Sequence, residues 1–353
     1  MTDIAQTILP ARLVDLGLSV RPFRDATDYA SIATLMGLCN AVDGIPWLPT
    51  EENIRSEFDG ADGVDPATDI VLVEDAAGLV AFAAVERVVR DDAPNYDLWG
   101  FVHPDRRRNG LGGALFERNL RRIAERIDVE DPDPTTDVLL RAHVEEHELG
   151  HAALLTADGF APARHYLLMR RAALDDVPDV PLPDGLELRT VTPGDHRAIW
   201  EGEAEAFQDH WGAYRPTEHD FQRTFSQSTL DTDLWAVAWD GDQVAGVVQT
   251  WIWAEENERL GVRRGWLEKI SVRRPWRKRG LGQALTAAAL RNLHAAGMTD
   301  AMLGVDSQNP TGALGLYERL GFEAWQRSAA WQRPFDRAGS NGARSDPTRS
   351  DGV

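Results

Sequence analysis

Residues 271–285 read SVRRPWRKRGLGQAL, and residues 101–115 read FVHPDRRRNGLGGAL. Both stretches follow a strand-like segment, contain the pattern Arg-x-x-Gly-x-Gly, and continue into a long helical pattern. Glycine allows close approach of the backbone to a ligand, and the first amides of a helix have no partners within the helix. This junction is therefore typical of a pyrophosphate site. A tight strand-to-helix connection that binds nothing would have the same sequence.

The two stretches belong to a repeat that runs along the chain. GLSVR at residues 17–21 returns as GLELR at 185–189, and PTEENIRSEF at 49–58 returns as PTEHDFQRTF at 216–225. The order is kept, and 353 residues suffice for two domains. Prolines and acidic residues interrupt the pattern between the copies. We predict an N-terminal extension (1–17), a first domain (18–172), a linker (173–185), a second domain (186–335) and a disordered tail (336–353).

Each copy is predicted to be an α+β domain with a mixed central β-sheet flanked by α-helices. A strand and a helix lead to a second helix, which Thr50 or Thr217 caps, and then to a hairpin that turns at Asp240-Gly241 in the second copy. A fourth strand, the Arg/Gly loop, a long helix, a strand, a helix and a closing strand follow. A dinucleotide-binding fold would open with its glycine loop, whereas here the loop comes fourth.

Composition excludes several classes of function. The formal net charge of −20 argues against binding to nucleic acid, which needs a basic surface. No apolar stretch is long enough to span a membrane, and the N-terminus lacks the pattern of a signal peptide. The single cysteine, Cys39, lies in an apolar helical pattern and is predicted to be a core residue. We expect a cytoplasmic protein.

The loops and a later motif give the chain a family resemblance. The stretch DSQNPTGALGLYERLGF at residues 306–322 places Asn309, Ala313, Tyr317 and Gly321-Phe322 at a characteristic spacing. Together with the Arg-x-x-Gly-x-Gly loops, it resembles the GCN5-related N-acetyltransferase (GNAT) superfamily. The likeness is strong in the second copy and weak in the first. The tandem arrangement resembles that of the mycothiol synthases, in which the C-terminal domain is the active one.

This resemblance implies that acetyl-CoA is the co-substrate and that no metal is needed. Its pantetheine arm would lie against the fourth strand, in a splay between the fourth and fifth strands, where a backbone amide would serve the thioester oxygen. The implied coenzyme-binding residues of the second copy are Ile270, Ser271, Val272, Arg277, Lys278, Arg279, Gly280, Leu281, Gly282 and Asn309. In the first copy they are Val102, Arg107, Gly110 and Gly112.

Acetyl transfer to an amine also requires groups that move protons. The resemblance makes Tyr317 the candidate general acid, although a tyrosine that packs in the core would have the same spacing. Glu268 shares a strand face with Ile270 and Val272 and is the candidate base; it could instead pair with an arginine at a strand start. Superfamily members sometimes carry the base two residues earlier, where this chain has Trp266. The matching residues of the first copy, Leu155 and Leu98, cannot handle protons.

Two further groups of residues have candidate roles. The resemblance implies that His210, Trp211 and Tyr214, in the loop between two helices of the second copy, border the acceptor. His143, His147 and His151 would align on one helix face, where they form either a metal site or, as we expect, a solvated face.

The sequence thus predicts an N-acetyltransferase that transfers acetyl from acetyl-CoA to a primary amine of a small molecule in the second domain. The alternatives are an acyl-CoA-sensing binding module and a peptide or protein N-acetyltransferase. The expected partners are acetyl-CoA and the amine, without nucleic acid or membrane. We expect a monomer whose domains are arranged like a dimer.

Overall fold

The computed structural model describes residues 17–59, 63–213, 215–227, 229–309 and 312–337. The predicted extension up to residue 16, Tyr214 and the tail from residue 338 lie outside the described residues. None of the helices described is both long and apolar enough to cross a membrane.

The first copy follows the predicted order of elements. Thr50 caps the second helix as expected: its hydroxyl accepts a hydrogen bond from the Asn53 amide at 3.2 Å. The elements are β1 (Ser19–Pro22), α1 (Thr27–Asp43), α2 (Glu51–Phe58), α3 (Pro66–Asp69), β2 (Val71–Asp75), β3 (Gly78–Arg90), β4 (Ala93–Val102), α4 (Leu111–Glu130), β5 (Leu139–Glu145), α5 (Leu149–Ala157) and β6 (Ala161–Arg171).

The second copy repeats this order with one difference among the described residues: its extra short helix (Ala254–Leu260) follows the hairpin, whereas α3 of the first copy precedes it. Thr217 accepts from the Asp220 amide at 3.3 Å, and the predicted hairpin turns at Gly241, whose φ is +56°. The elements are β7 (Glu187–Leu188), α6 (His196–Phe207), α7 (Glu218–Phe225), β8 (Ala236–Asp240), β9 (Gln243–Trp251), α8 (Ala254–Leu260), β10 (Arg264–Val272), α9 (Leu281–Ala295), β11 (Asp300–Asp306), α10 (Ala313–Arg319) and β12 (Glu323–Pro334).

All twelve described strands form one mixed sheet in the order β1-β2-β3-β4-β5-β12-β6-β11-β10-β9-β8-β7. The closing strands are exchanged: β6 of the first copy lies beside β11 of the second, and β12 of the second copy lies beside β5 of the first. The two closing strands also pair with each other. The predicted domain boundaries divide the repeat in the sequence, whereas the sheet joins the two copies.

Core packing follows the exchange. Met169 of β6 is buried in the hydrophobic core of the second copy, together with Leu285 and Leu290 of α9. Trp331 of β12 packs against the core of the first copy. Each closing strand therefore contributes side chains to the core of the opposite copy, and this burial holds the copies together.

One local prediction is wrong. His143, His147 and His151 do not share a helix face, because His143 lies in β5 and His151 in α5. Residues of β5 alternate between buried and more exposed positions, which is the period of a strand. Among the described residues, no cluster of His, Cys, Asp and Glu could hold a metal ion. Cys39 is buried, as predicted.

Candidate active site

Strand β10 separates from β11 midway along its length. The two strands pair in parallel from Arg264 with Asp300 to Leu267 with Leu303, and the described pairing ends there. Strand β10 continues alongside β9 as far as Val272, which pairs with Gly246. The backbone of β10 beyond Leu267 is thereby open on its β11 side, where an extended ligand can lie against it.

The Arg/Gly loop of the second copy is held in a fixed shape. The Arg277 guanidinium donates to the carbonyl oxygen of Val272 at 2.8 Å and to Asp209 at 2.6 Å. Gly280 has a φ of +84° at the start of α9, and no side chain caps this helix end. The first amides of α9 are therefore available to bind an anion such as a phosphate.

The other predicted coenzyme-binding residues differ in what they offer. Gly282 allows α9 to pack closely against α10, because a Cβ atom there would lie only 3.2 Å from Leu316. The Ser271 hydroxyl is buried and has no hydrogen-bond partner among the described residues. Leu281 is buried in the core, and the Arg279 guanidinium donates to the carbonyl oxygen of Asp184. We expect these two residues to contribute only through their backbone.

A cavity of about 1240 Å³ begins at this opening and extends to the first copy. Its wall includes Ile270, Val272, Lys278, Gly280 and Asn309 of the second copy. Residues of the first copy complete it, namely Trp47, Asn53, Glu57, Trp99, His143, Glu145 and Tyr166. The volume exceeds the usual size of a small-molecule pocket and suits two ligands side by side.

Glu268 lies in the wall of this cavity at an irregularity of β10. The register with β9 shifts between Leu267 and Lys269, so that Glu268 is the extra residue of a β-bulge. The carboxylate is open to the cavity but enclosed by its walls, and this burial raises its pKa above the ordinary value. A hydrogen bond of 3.3 Å from Trp253 Nε1 partly offsets this increase in the pKa of Glu268. The neighbouring carboxylate of Glu256 adds to the increase.

Tyr317 lies in α10 and lines the same cavity. Its side chain is 6% exposed, and its ring contacts Phe322 edge to face at 6.1 Å between centroids. Burial raises the pKa of the phenol, so that Tyr317 keeps its proton at neutral pH. The site thus combines a carboxylate that can accept a proton with a hydroxyl that can donate one.

Comparisons with known proteins agree with this geometry. The sequence model described as "Acetyltransferase (GNAT) family" matches residues 197–322. A protein of Salinispora arenicola named mycothiol acetyltransferase is 35% identical over 235 residues, which are 66% of this chain and 71% of that protein. The chain belongs to the GNAT family of acetyltransferases. It therefore transfers an acetyl group from acetyl-CoA to an amine of a small molecule.

Solved structures of GNAT proteins share the whole architecture. A GCN5-related N-acetyltransferase from Sphaerobacter thermophilus has a TM-score of 0.71 at 27% identity, covering 92% of this chain and 96% of that one. A tandem GNAT protein from the clavulanic acid biosynthesis pathway has a TM-score of 0.64 at 21% identity. This second likeness covers 90% of this chain and 98% of that one, and it supports the tandem fold alone.

The loop that follows α6 contains the predicted acceptor residues of this GNAT protein, and the structure separates them. His210 lines the cavity, and burial lowers the pKa of its imidazole. Trp211 instead packs against the first copy, with the Arg141 and Arg164 guanidinium groups 4.6 and 5.8 Å from its ring centroid. Tyr214 lies outside the described residues, so its role remains a prediction.

The Arg/Gly loop of the first copy, from Arg107 to Gly112, has nearly the same shape as the Arg/Gly loop of the second copy. The Arg107 guanidinium donates to the carbonyl oxygen of Val102 at 3.1 Å and to Asp43 at 2.6 Å, and Gly110 has a φ of +86°. A Cβ atom on Gly112 would lie 3.9 Å from Val102. The residues that match the candidate base and the candidate acid are Leu98 and Leu155, and both are buried.

Sequence reasoning missed the part of the cavity that the first copy and the exchanged strands supply. Glu57, Tyr166 and Gln326 line it, although they are distant from the GNAT motifs in the chain. No local pattern marks these residues, because Tyr166 and Gln326 lie on the exchanged strands β6 and β12 and Glu57 lies in α2 of the first copy.

Proposed function

We propose that the second copy catalyses acetyl transfer with Glu268 as the general base and Tyr317 as the general acid. Acetyl-CoA would bind with its pyrophosphate on the amides at the start of α9 and its pantetheine arm along the open part of β10. The acceptor amine would enter from the side of the first copy. The cavity that joins Glu268, Tyr317 and the Arg/Gly loop carries this proposal.

The proposed reaction is a direct attack of the amine on the thioester carbonyl. Glu268 accepts the proton of the ammonium group, directly or through water, so that the nitrogen lone pair can form the new N–C bond. The C–S bond then breaks, and Tyr317 donates its proton to the departing thiolate sulfur. The new amide nitrogen gives its remaining extra proton, through water, to the tyrosinate, which restores Tyr317. The raised pKa of Glu268 suits its role, because it makes the carboxylate a stronger base, whereas the raised pKa of Tyr317 keeps the phenol protonated and makes it a weaker acid.

The first acceptor to test is the amine precursor of mycothiol, because the relatives carry the name mycothiol acetyltransferase. Release of free coenzyme A would be followed with this amine, a panel of other small amines and peptide N-termini. Glu268→Gln and Tyr317→Phe serve as the controls with lowered activity. If the protein binds acetyl-CoA but none of the tested amines causes release of coenzyme A, the protein is an acyl-CoA-sensing module instead.

We also propose that the protein acts as a monomer in the cytoplasm. The single sheet already joins the two copies as two subunits of a dimer would be joined. Light scattering of the purified protein tests this, and a mass of two chains would contradict it.

A further inference from the structure

Gln326 is a buried polar residue whose hydrogen bonds are missing. Its side chain is 3% exposed, yet neither Oε1 nor Nε2 has a hydrogen-bond partner among the described residues. It lies near the start of the exchanged strand β12, at a shift in the register with β6 between Ala324 and Gln326. Buried amide groups without partners are rare because they lose their bonds to water on folding. Such a residue therefore needs an explanation.

Gln326 is one of the residues that line the cavity containing Glu268 and Tyr317. The cavity floor at this point comes from the exchanged strands, because Gln326 pairs with Leu168 of β6 and the next cavity-lining residue of β12, Ser328, pairs with Tyr166. Gln326 thus lies in the wall beside the space where the acceptor would lie, with both amide atoms covered. A ligand there could supply both missing hydrogen bonds once the side chain turns toward it.

The sheet register gives the separation between Gln326 and the candidate base. Leu168 pairs with Gly304 of β11, and β10 leaves β11 just before Glu268. Adjacent strands are about 4.8 Å apart, so Gln326 on β12 lies roughly 15 Å from Glu268 on β10, three strands away. An amine placed at Glu268 would need a tail of roughly 10 Å to reach the Gln326 amide, allowing for one hydrogen bond at each end.

We propose that Gln326 determines acceptor specificity by binding a group on the acceptor tail that offers a hydrogen-bond donor and an acceptor side by side. An amide and a pair of adjacent hydroxyls both have this chemistry. This inference rests on the proposed acceptor cavity and adds the substrate feature that the cavity selects. A site built around such hydrogen bonds rejects an analogue that lacks them, because its own polar atoms stay unpaired.

The test compares Gln326→Leu with Gln332→Leu, a control on the same strand outside the cavity wall. The probes are triglycine amide, an amino-disaccharide and decylamine, which are long enough to span the cavity floor. For Gln326→Leu, the ratio of kcat/KM for each polar probe to that for decylamine should fall at least tenfold. For Gln332→Leu this ratio should stay within twofold of the wild type. The polar probe with the larger fall identifies the amide or the hydroxyl pair.

Two thermal measurements complete the test without turnover. The Tm of free Gln326→Leu should rise above that of the wild type, because the change removes unpaired buried polar atoms. The Tm increase that a polar probe causes in the wild type should be lost in this variant. Three results would each overturn the role of Gln326. They are an unchanged kcat/KM ratio in Gln326→Leu, a Tm of this free variant below that of the wild type, and a wild-type Tm that the polar probes do not increase. Failure of the proposed function differs, because coenzyme A release would then be absent with every amine.

Discussion

Glu268 and Tyr317 are both tuned by burial, with different consequences for catalysis. Burial disfavours the charged form of each group and raises both pKa values. For Glu268 this strengthens the base but requires a higher pH to keep it ionised. For Tyr317 it keeps the phenol protonated at neutral pH and makes it a weaker acid toward the departing thiolate of the proposed reaction. Leu98 and Leu155 of the first copy have no proton to move, so the two copies differ chemically at two residues.

Replacing Tyr317 with phenylalanine should lower kcat by about 10²-fold or more, since it removes only the proton donor. The ring and its contact with Phe322 remain, so the Kd for acetyl-CoA should change little. Steady-state kinetics and calorimetry on the same variant measure the two quantities. An unchanged kcat would mean that water or another group protonates the thiolate.

The pH dependence of kcat/KM should report the raised pKa of Glu268. A base must be ionised, so activity should fall as the pH is lowered through this pKa. The midpoint of the fall should lie above about 4.3, the ordinary value for glutamate. The fall should be absent from the residual activity of Glu268→Gln.

The hydrogen bond from Trp253 to Glu268 gives a variant with a defined direction. It stabilises the ionised carboxylate, so Trp253→Phe should raise the pKa of Glu268 further and move the acidic fall to higher pH. A shift toward lower pH, or none, would show that the fall belongs to another group.

At the scale of elements, the two Arg/Gly loops provide a matched pair for testing phosphate binding. Gly280 and Gly110 start their helices with φ values of +84° and +86°, so valine strains the backbone about equally at either position. Gly280→Val should raise the Kd for acetyl-CoA steeply and abolish turnover, because its side chain blocks approach of the pyrophosphate. Gly110→Val should leave turnover nearly intact.

Loss of turnover in Gly110→Val would contradict this prediction if circular dichroism shows that the variant is still folded. That result would place chemistry in the first copy.

The sequence was sufficient for elements whose signals are local. Thr50 and Thr217 predict helix starts because their hydroxyls can cap a helix, and the structure confirms both caps. Gly241 predicts a hairpin turn because glycine accepts the positive φ that the structure shows there. The bulge at Glu268 has no such signal, since it depends on how β10 pairs with β9. In the first copy the matching strands keep a regular register, with Leu98 opposite Val85. The helix expected at His143–His151 was wrong because spacing alone was used, although the burial period of β5 is two.

At the scale of the whole molecule, the exchange of β6 and β12 explains why the acceptor side of the site could not be predicted. Strand order within a sheet depends on contacts between residues far apart in the chain, such as Ser328 with Glu145. The motifs indicate the proposed coenzyme-binding residues of the catalytic site and the candidate base and acid, which all lie in the second copy. The opposite wall and the floor come from the first copy and from both closing strands. The first copy is therefore part of the site even where its own chemistry is absent.

The first copy is also expected to bind acetyl-CoA without turning it over. Its loop keeps the backbone shape of the loop in the second copy: Arg107 and Arg277 share a φ of −69°, and each guanidinium pairs with an aspartate, Asp43 or Asp209. We expect calorimetry to give two equivalents of acetyl-CoA per chain. Arg107→Ala with Gly110→Val should remove one equivalent and leave the steady-state rate almost unaltered, whereas Arg277→Ala with Gly280→Val should remove the other and abolish turnover. One equivalent in the unmodified protein would contradict the expectation, and the ion pair of Arg107 would then serve only to hold a strand-to-helix turn in a scaffold that shapes the acceptor cavity.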